Sequence, residues 1–247
     1  MLSNKNNMNL QGKNILVIGG TSGIGLEVTK RLLDHDAAPY VVSRNTNSEI
    51  HQSGATHISA DVNQDDLKSA FKDLPESLHG LVYCPGSITL KPFHGLKDQD
   101  WQNDWEINVM GAVRSAQAAL KSLRKSGDAS VVFYSTVASE VGMPYHSSIA
   151  AAKSALEGLG KSLAAEWVKQ NIRVNVIAPS LTNSPLAEQL LSTDEKKEAS
   201  NKRHPLGRYG EPSDIAGLTT FLLSNEASWM TGQVIPVDGG MSGVRSV

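Results

Sequence analysis

The sequence holds a single cysteine, Cys84, in 247 residues. One thiol excludes an internal disulfide and any zinc site built on cysteine pairs, and it suits a reducing compartment. An excess of charge of either sign is also missing, since 23 basic side chains stand against 25 acidic ones for a formal net charge of −2. Proteins whose main work is holding nucleic acid carry a basic surplus, so no nucleic-acid partner is expected. No apolar run approaches the roughly 20 residues that cross a bilayer, so no membrane partner is expected either. Residues 1–12 are rich in Asn and Lys without an apolar block, unlike a secretory signal. Internal repeats are absent, and no stretch rich in Pro, Gly or Ser divides the chain.

What is present is 40% hydrophobic residues with a moderate 19% charged fraction. That is enough apolar material for a substantial core, and the expectation is one cytoplasmic domain over residues 1–247 with a short N-terminal extension, 1–12. Short β-branched runs at 14–19, 39–43, 56–60, 80–84, 130–135, 173–178 and 233–237 read as strands covered on both faces. Helical patterns at 24–35, 64–73, 101–124, 148–170 and 212–223 lie between them, with room for only a stub near 48–52. Strand–helix alternation of this kind predicts an α/β fold, a doubly wound parallel sheet of Rossmann type with about seven strands and helices on both faces.

The run Ile15-Leu-Val-Ile-Gly-Gly-Thr-Ser-Gly-Ile-Gly-Leu26 leads an apolar strand through glycines into a helix. Gly19, Gly23 and Gly25 let the chain turn and bring backbone close to a ligand. The following helix start offers free N–H groups and the positive end of its dipole to a pyrophosphate. Thr21, Ser22 and Ile24 belong to the same loop. Its spacing, Gly19-x-x-x-Gly23-x-Gly25, resembles that of the short-chain dehydrogenase/reductase family. Further matches run along nearly the whole chain. They are Asp61-Val62 after the third strand, Asn108 in Glu106-Ile-Asn-Val, Lys153 in Ala150-Ala-Ala-Lys-Ser-Ala-Leu, Arg173-Val-Asn-Val-Ile-Ala-Pro179, and Gly232-Gln-Val-Ile-Pro-Val-Asp-Gly-Gly240.

The resemblance implies a dinucleotide cofactor, a small-molecule substrate, no metal, and a homodimer or homotetramer. It places Gly86, Pro179 and Ser184 beside the cofactor, with Asp61 and Val62 at the adenine and Lys153 at the nicotinamide ribose. At the end of the second strand, where members that prefer NAD carry an acid, this chain reads Ser43-Arg44-Asn45. An arginine there can clamp a 2′-phosphate, so NADP(H) is expected ahead of NAD(H). Residues 185–208 correspond to the family's substrate lid. Its Lys196, Lys197, Lys202, Arg203 and His204 could receive an acidic carrier, coenzyme A or a phosphorylated group, though such a run more often reads as a solvated helix face.

One departure dominates. The family's acid is a tyrosine four residues before the lysine, and here that position is Ile149. The accompanying serine position falls on Thr136, with Ser135 beside it. The family's Asn-Asn-Ala-Gly is Tyr83-Cys84-Pro85-Gly86, and the threonine that opens the glycine loop is Ile18. Cys84 reads as a small buried residue. His146 and Tyr145, just before the helix that carries Lys153, are candidate replacement acids, and Thr136 is a candidate for ordering a water. Two functions follow from these residues. One is hydride transfer with an atypical proton donor, to a carbonyl or an activated C=C bond. The other is a dinucleotide-binding sensor or assembly protein that has lost its chemistry.

Overall fold

A computed structural model describes residues 8–245. Seven strands, β1 (Asn14–Ile18), β2 (Ala38–Ser43), β3 (Thr56–Ser59), β4 (Gly80–Tyr83), β5 (Ala129–Tyr134), β6 (Ile172–Pro179) and β7 (Val234–Val237), form one sheet in the order β3-β2-β1-β4-β5-β6-β7. Every pairing is parallel. Alternate side chains of each strand enter opposite layers. Leu16, Ile18, Leu81, Tyr83, Val131 and Phe133 pack on one face, and Ile15, Val17, Val82, Val132 and Tyr134 on the other. Burial on both faces explains why the strands read as unbroken apolar runs.

The first layer is closed by α5 (Gly111–Ser126) and α6 (Ser147–Trp167), the second by α1 (Gly23–Asp34) and α8 (Pro212–Leu223). Three short helices, α2 (Ser48–Ser53), α3 (Leu67–Ala70) and α4 (Asp98–Trp105), precede α5, and α7 (Asp194–Arg203) crosses between β6 and α8. Chain order reverses at β1, between β2 and β4, and this opens a crevice beyond the strands' carboxyl ends.

Two sequence expectations need correction. The helix expected over 64–73 is a single turn, α3, which starts only at its Asp66 cap, while the Asp61 carboxylate accepts from Asn63 N–H and holds the residues before it in a turn. The helix expected over 101–124 is interrupted by a π turn, Glu106–Met110, which frees the Ile107 carbonyl to accept from the Tyr83 hydroxyl at 2.6 Å. Within the described part of the N-terminal extension, Leu10 is fully buried in the second layer.

The tightest point in the fold is where α1 leaves the glycine loop. A methyl group at Gly25 would sit 2.2 Å from the Gly19 carbonyl oxygen. Gly19 and Gly23 have φ of +76° and +50°, in the left-handed region that favours glycine. Thr29, fully buried, fastens the same corner by donating to the Gly25 carbonyl at 2.9 Å. Replacing Gly25 with Ala therefore overpacks against backbone and should cost at least about 1–3 kcal/mol. The expected result is a fall in Tm of about 2–4 °C per kcal/mol, read by calorimetry. An unchanged Tm would contradict the close contact.

Candidate active site

Two cavities share the crevice. The smaller, of about 400 Å³, is walled by the glycine loop, the end of β2 and the loop after β3. It brings together Gly19, Thr21, Ser22, Gly23, Ile24, Gly25, Ser43, Arg44, Asp61, Val62, Gly86 and Ser184, which are far apart in sequence. Ser22 precedes α1 without capping it through its side chain, and the first turn carries no acid, so the positive helix end is left for a ligand. Arg44 is exposed and has no ion-pair partner among the described residues. An uncapped helix start, glycines at positive φ and a free guanidinium together fit a dinucleotide phosphate. Asn47 is a residue the sequence reading missed. It donates to the Thr21 carbonyl at 2.8 Å and caps α2 through Ile50 N–H, tying the loop to α2. An Asn ahead of a short helix is a capping signal, but its second bond is visible only in three dimensions.

The larger cavity, of about 700 Å³, adjoins the first through Ile24, Cys84, Gly86, Ser184 and Leu186. Thr136, His146, Ile149, Lys153 and Pro179 all line it. Ile149 is 4% exposed, so the branched alkyl group forms part of the wall. Thr136 Oγ1 accepts from Ala138 N–H at 3.3 Å, which leaves its own proton available. Ser135 also borders the cavity, but its hydroxyl is committed to the Glu157 carboxylate, as is that of Ser139. Tyr145 is 59% exposed at φ +68° and lies outside the cavity wall, which removes it as an acid. His146 Nδ1 donates to the Pro144 carbonyl at 2.7 Å at the start of α6.

Lys153 is 7% exposed, and its ammonium donates to the Tyr134 carbonyl at 2.8 Å. Burial lowers its pKa to about 8. A methyl group at Gly86 would lie 3.1 Å from Asn108 Oδ1 and 3.4 Å from Lys153 Nζ, so both atoms converge on this backbone. Asn108 sits in the π turn, fully buried, with Nδ2 donating to Ser87 Oγ and the Asp104 carbonyl while Oδ1 has no partner among the described residues. Sequence reading missed the support for this arrangement. The buried Asp104 carboxylate accepts from Ser87 and Thr89 at 2.5 and 2.9 Å. Asp104 and Asn108, four apart, point the same way from one helix, but Ser87 comes from the other side of the crevice.

Cys84 retains some surface on both cavities although protein surrounds it closely, and burial pushes its thiol up to about 12, so it stays protonated. Pro85 packs its ring on Gly19, with the nearest approach 3.2 Å from where a Gly19 methyl would be. The two segments in which the sequence departs from the family thus meet by this apolar contact and by a backbone hydrogen bond from Cys84 N–H to the Ile18 carbonyl at 3.0 Å.

Fold and crevice together define a dinucleotide-dependent oxidoreductase of the doubly wound class. A family profile described as Enoyl-(Acyl carrier protein) reductase matches residues 19–242. A tropinone reductase homolog from Arabidopsis thaliana is 34% identical over 94% of this chain and 94% of its own length. Carbonyl reductase family member 4 from Xenopus laevis is 34% identical over 91% and 96%. Among solved structures, a short-chain type dehydrogenase/reductase from Mycobacterium ulcerans superposes with a TM-score of 0.86 at 29% identity over 96% and 92% of the two chains. A protein from Beutenbergia cavernae with bound NADP at low occupancy superposes at 0.89, with 25% identity over 96% and 100%. The chain belongs to the short-chain dehydrogenase/reductase family of NAD(P)-dependent oxidoreductases.

The buried lysine has a measurable consequence. In the unfolded chain a lysine holds its proton to about pH 10.4, whereas Lys153 releases it near 8. Between those values the unfolded state binds more protons, so this group makes stability rise with pH, and its full penalty is present below about 8. Urea unfolding of the wild type and Lys153→Met should show a constant stability difference below that pH. The difference should then drift in the wild type's favour up to about pH 10. Parallel behaviour throughout would refute a buried ammonium.

Proposed function

We propose that this protein is an NADP(H)-dependent oxidoreductase that transfers hydride to a carbonyl, or to an activated C=C bond, of a small and largely apolar molecule. The observation that carries this reading is the joint presence of Thr136, Lys153 and Ile149 on the wall of the larger cavity, next to the glycine-loop cavity. Gly19, Thr21, Ser22, Gly23, Ile24 and Gly25 would hold the pyrophosphate side of the cofactor, Ser43 and Arg44 the 2′-phosphate, and Asp61 and Val62 the adenine. Gly86, Lys153, Pro179 and Ser184 would border the nicotinamide half. When bound, the dinucleotide supplies the hydride.

The remaining work falls to side chains. Thr136 donates a hydrogen bond from its free hydroxyl to the substrate oxygen. With no phenol at position 149, Lys153 is the acid, because an ammonium with a pKa near 8 is matched to neutral solution. Its proton passes to the oxygen that gains charge as carbon is reduced, and the neutral amine is reprotonated from water. Asn108, with its open Oδ1 facing Gly86 beside Lys153, orders a water on that path.

The homodimer or homotetramer implied by the family is supported by α6, whose exposed face carries Ala151, Ser154, Gly158, Ser162 and Ala165 at helical spacing, small enough for close helix pairing. The described residues contain no helix long and apolar enough to cross a membrane. A cytoplasmic location fits the lone, protonated thiol.

Steady-state NADPH oxidation with ketones, quinones and enoyl thioesters tests the activity. Turnover is expected, and tight NADPH binding without any turnover would favour the non-catalytic alternative. With a ketone substrate, kcat/KM should fall about tenfold per pH unit above about 8. His146→Ala should leave that profile in place, and a profile that moves with His146 would reassign the acid. Arg44→Ala should weaken NADPH binding by roughly tenfold or more, the worth of a charge-assisted hydrogen bond, and leave NADH binding unchanged. Equal effects on both cofactors, measured by calorimetry, would argue against a 2′-phosphate clamp. Ile149→Tyr should raise ketone reduction, since a positioned acid contributes roughly 10²–10⁴-fold.

A further inference from the structure

The larger cavity is unusual in its charges. No Asp or Glu lines it, whereas Lys196 and Arg203 of α7 do, beside Lys153. Helix α7 carries four cations, and the pairing separates them. Lys197 and Lys202 make ion pairs with Asp194 and Glu198 of the same helix. Lys196 and Arg203 have no carboxylate partner among the described residues. They are seven residues apart, two helical turns, and with Ala199 between them they fall on the face turned to the cavity.

Neutral groups hold them in place. Lys196 Nζ donates to the Gln189 carbonyl at 2.8 Å and to Ser192 Oγ at 3.0 Å, and Arg203 donates to Ser200 Oγ at 3.0 Å. Below them, His204 is buried, with Nδ1 donating to the Ser200 carbonyl and Nε2 paired with the Ser180 hydroxyl, which anchors the end of α7 to the loop after β6. The rest of the wall is mainly apolar, with Ile88, Leu90, Val137, Met143 and Leu190. A volume of about 700 Å³ takes a ligand of drug-like size, for which roughly 300–1,000 Å³ is usual.

We infer that Lys196 and Arg203 form an anion subsite, and that the substrate is an apolar molecule with its reactive group at one end and a carboxylate or phosphate at the other. The apolar wall takes the body of the molecule and the two unpaired cations take its charged head. A cationic substrate finds no counter-charge in this cavity. This deepens the hydride-transfer reading and rests on it for the identity of the reacting end, but the subsite itself is open to a binding measurement without cofactor.

The test is titration calorimetry with octanoate, octyl phosphate and methyl octanoate on the wild type and on Lys196→Leu/Arg203→Leu. One or both anions should bind at least about tenfold more tightly than the ester to the wild type. That preference should vanish in the double variant while ester affinity is kept, and Arg203→Lys should retain most of it. The relative strength of octanoate and octyl phosphate then tells which head the site prefers. Equal binding of anions and ester, or an anion preference that survives the double substitution, would overturn the inference. NADPH affinity, measured in parallel, should be the same in both proteins, so failure of the subsite is distinguishable from failure of the cofactor reading.

Discussion

The contact between Gly25 and the Gly19 carbonyl sets the terms for the rest of the molecule. It allows α1 to start directly at the end of β1, so the uncapped helix end opens on the crevice where the order of the strands reverses. Any side chain at Gly25 would push the helix outward and carry the backbone donors away from their ligand. The buried hydroxyl of Thr29 holds the same corner from inside, and Asn47 holds it from the side of β2. A precise loop on a rigid sheet is what a phosphate site requires, because backbone N–H groups cannot rearrange as side chains do.

The second half of the crevice is organised around a loss. A phenol at position 149 would place an acid on this wall, and Ile149 puts a buried aliphatic surface there instead. The energetic weight of that change is bounded. General acid catalysis contributes roughly 10²–10⁴-fold, or about 3–5 kcal/mol, while holding reactants in an attack geometry contributes about 7–11 kcal/mol. The positioning machinery is the larger part, and the groups that would supply it remain together: Thr136 with an uncommitted proton, Lys153 with a lowered pKa, and Asn108 with an open acceptor. Burial favours neutral groups here, so it raises the thiol of Cys84 and keeps it protonated while it lowers the ammonium of Lys153 to about 8.

The fold was largely legible. Seven apolar runs, each separated by a helical pattern, predict a parallel sheet because only strands buried on both faces lack a polar alternation. The glycine loop was legible for the same kind of reason, since positive φ and close approach demand glycine whatever surrounds them. Errors fell where local signals compete. The π turn at Glu106–Met110 is invisible in a periodicity that continues on both sides of it, and the partner of its free Ile107 carbonyl, Tyr83, comes from β4. The basic run of α7 leaves an anion-receiving and a solvated reading open, and only its packing across the cavity shows that Lys196 and Arg203 border the cavity while Lys197 and Lys202 pair with acids of the same helix.

The sequence by itself determined the sheet, the glycine loop, the family, and the absence of an ionisable group at position 149, because each depends on residue identity and local spacing. Tertiary structure decided which hydroxyl is free and which is spent, Thr136 or Ser135, for that turns on Glu157 arriving from α6. It likewise decided that Lys153 is dry enough to release its proton near 8, and that Asn108 keeps one oxygen open beside Gly86. Hydrogen-bond partners and dielectric surroundings are set by groups distant along the chain, and folding alone brings them within reach.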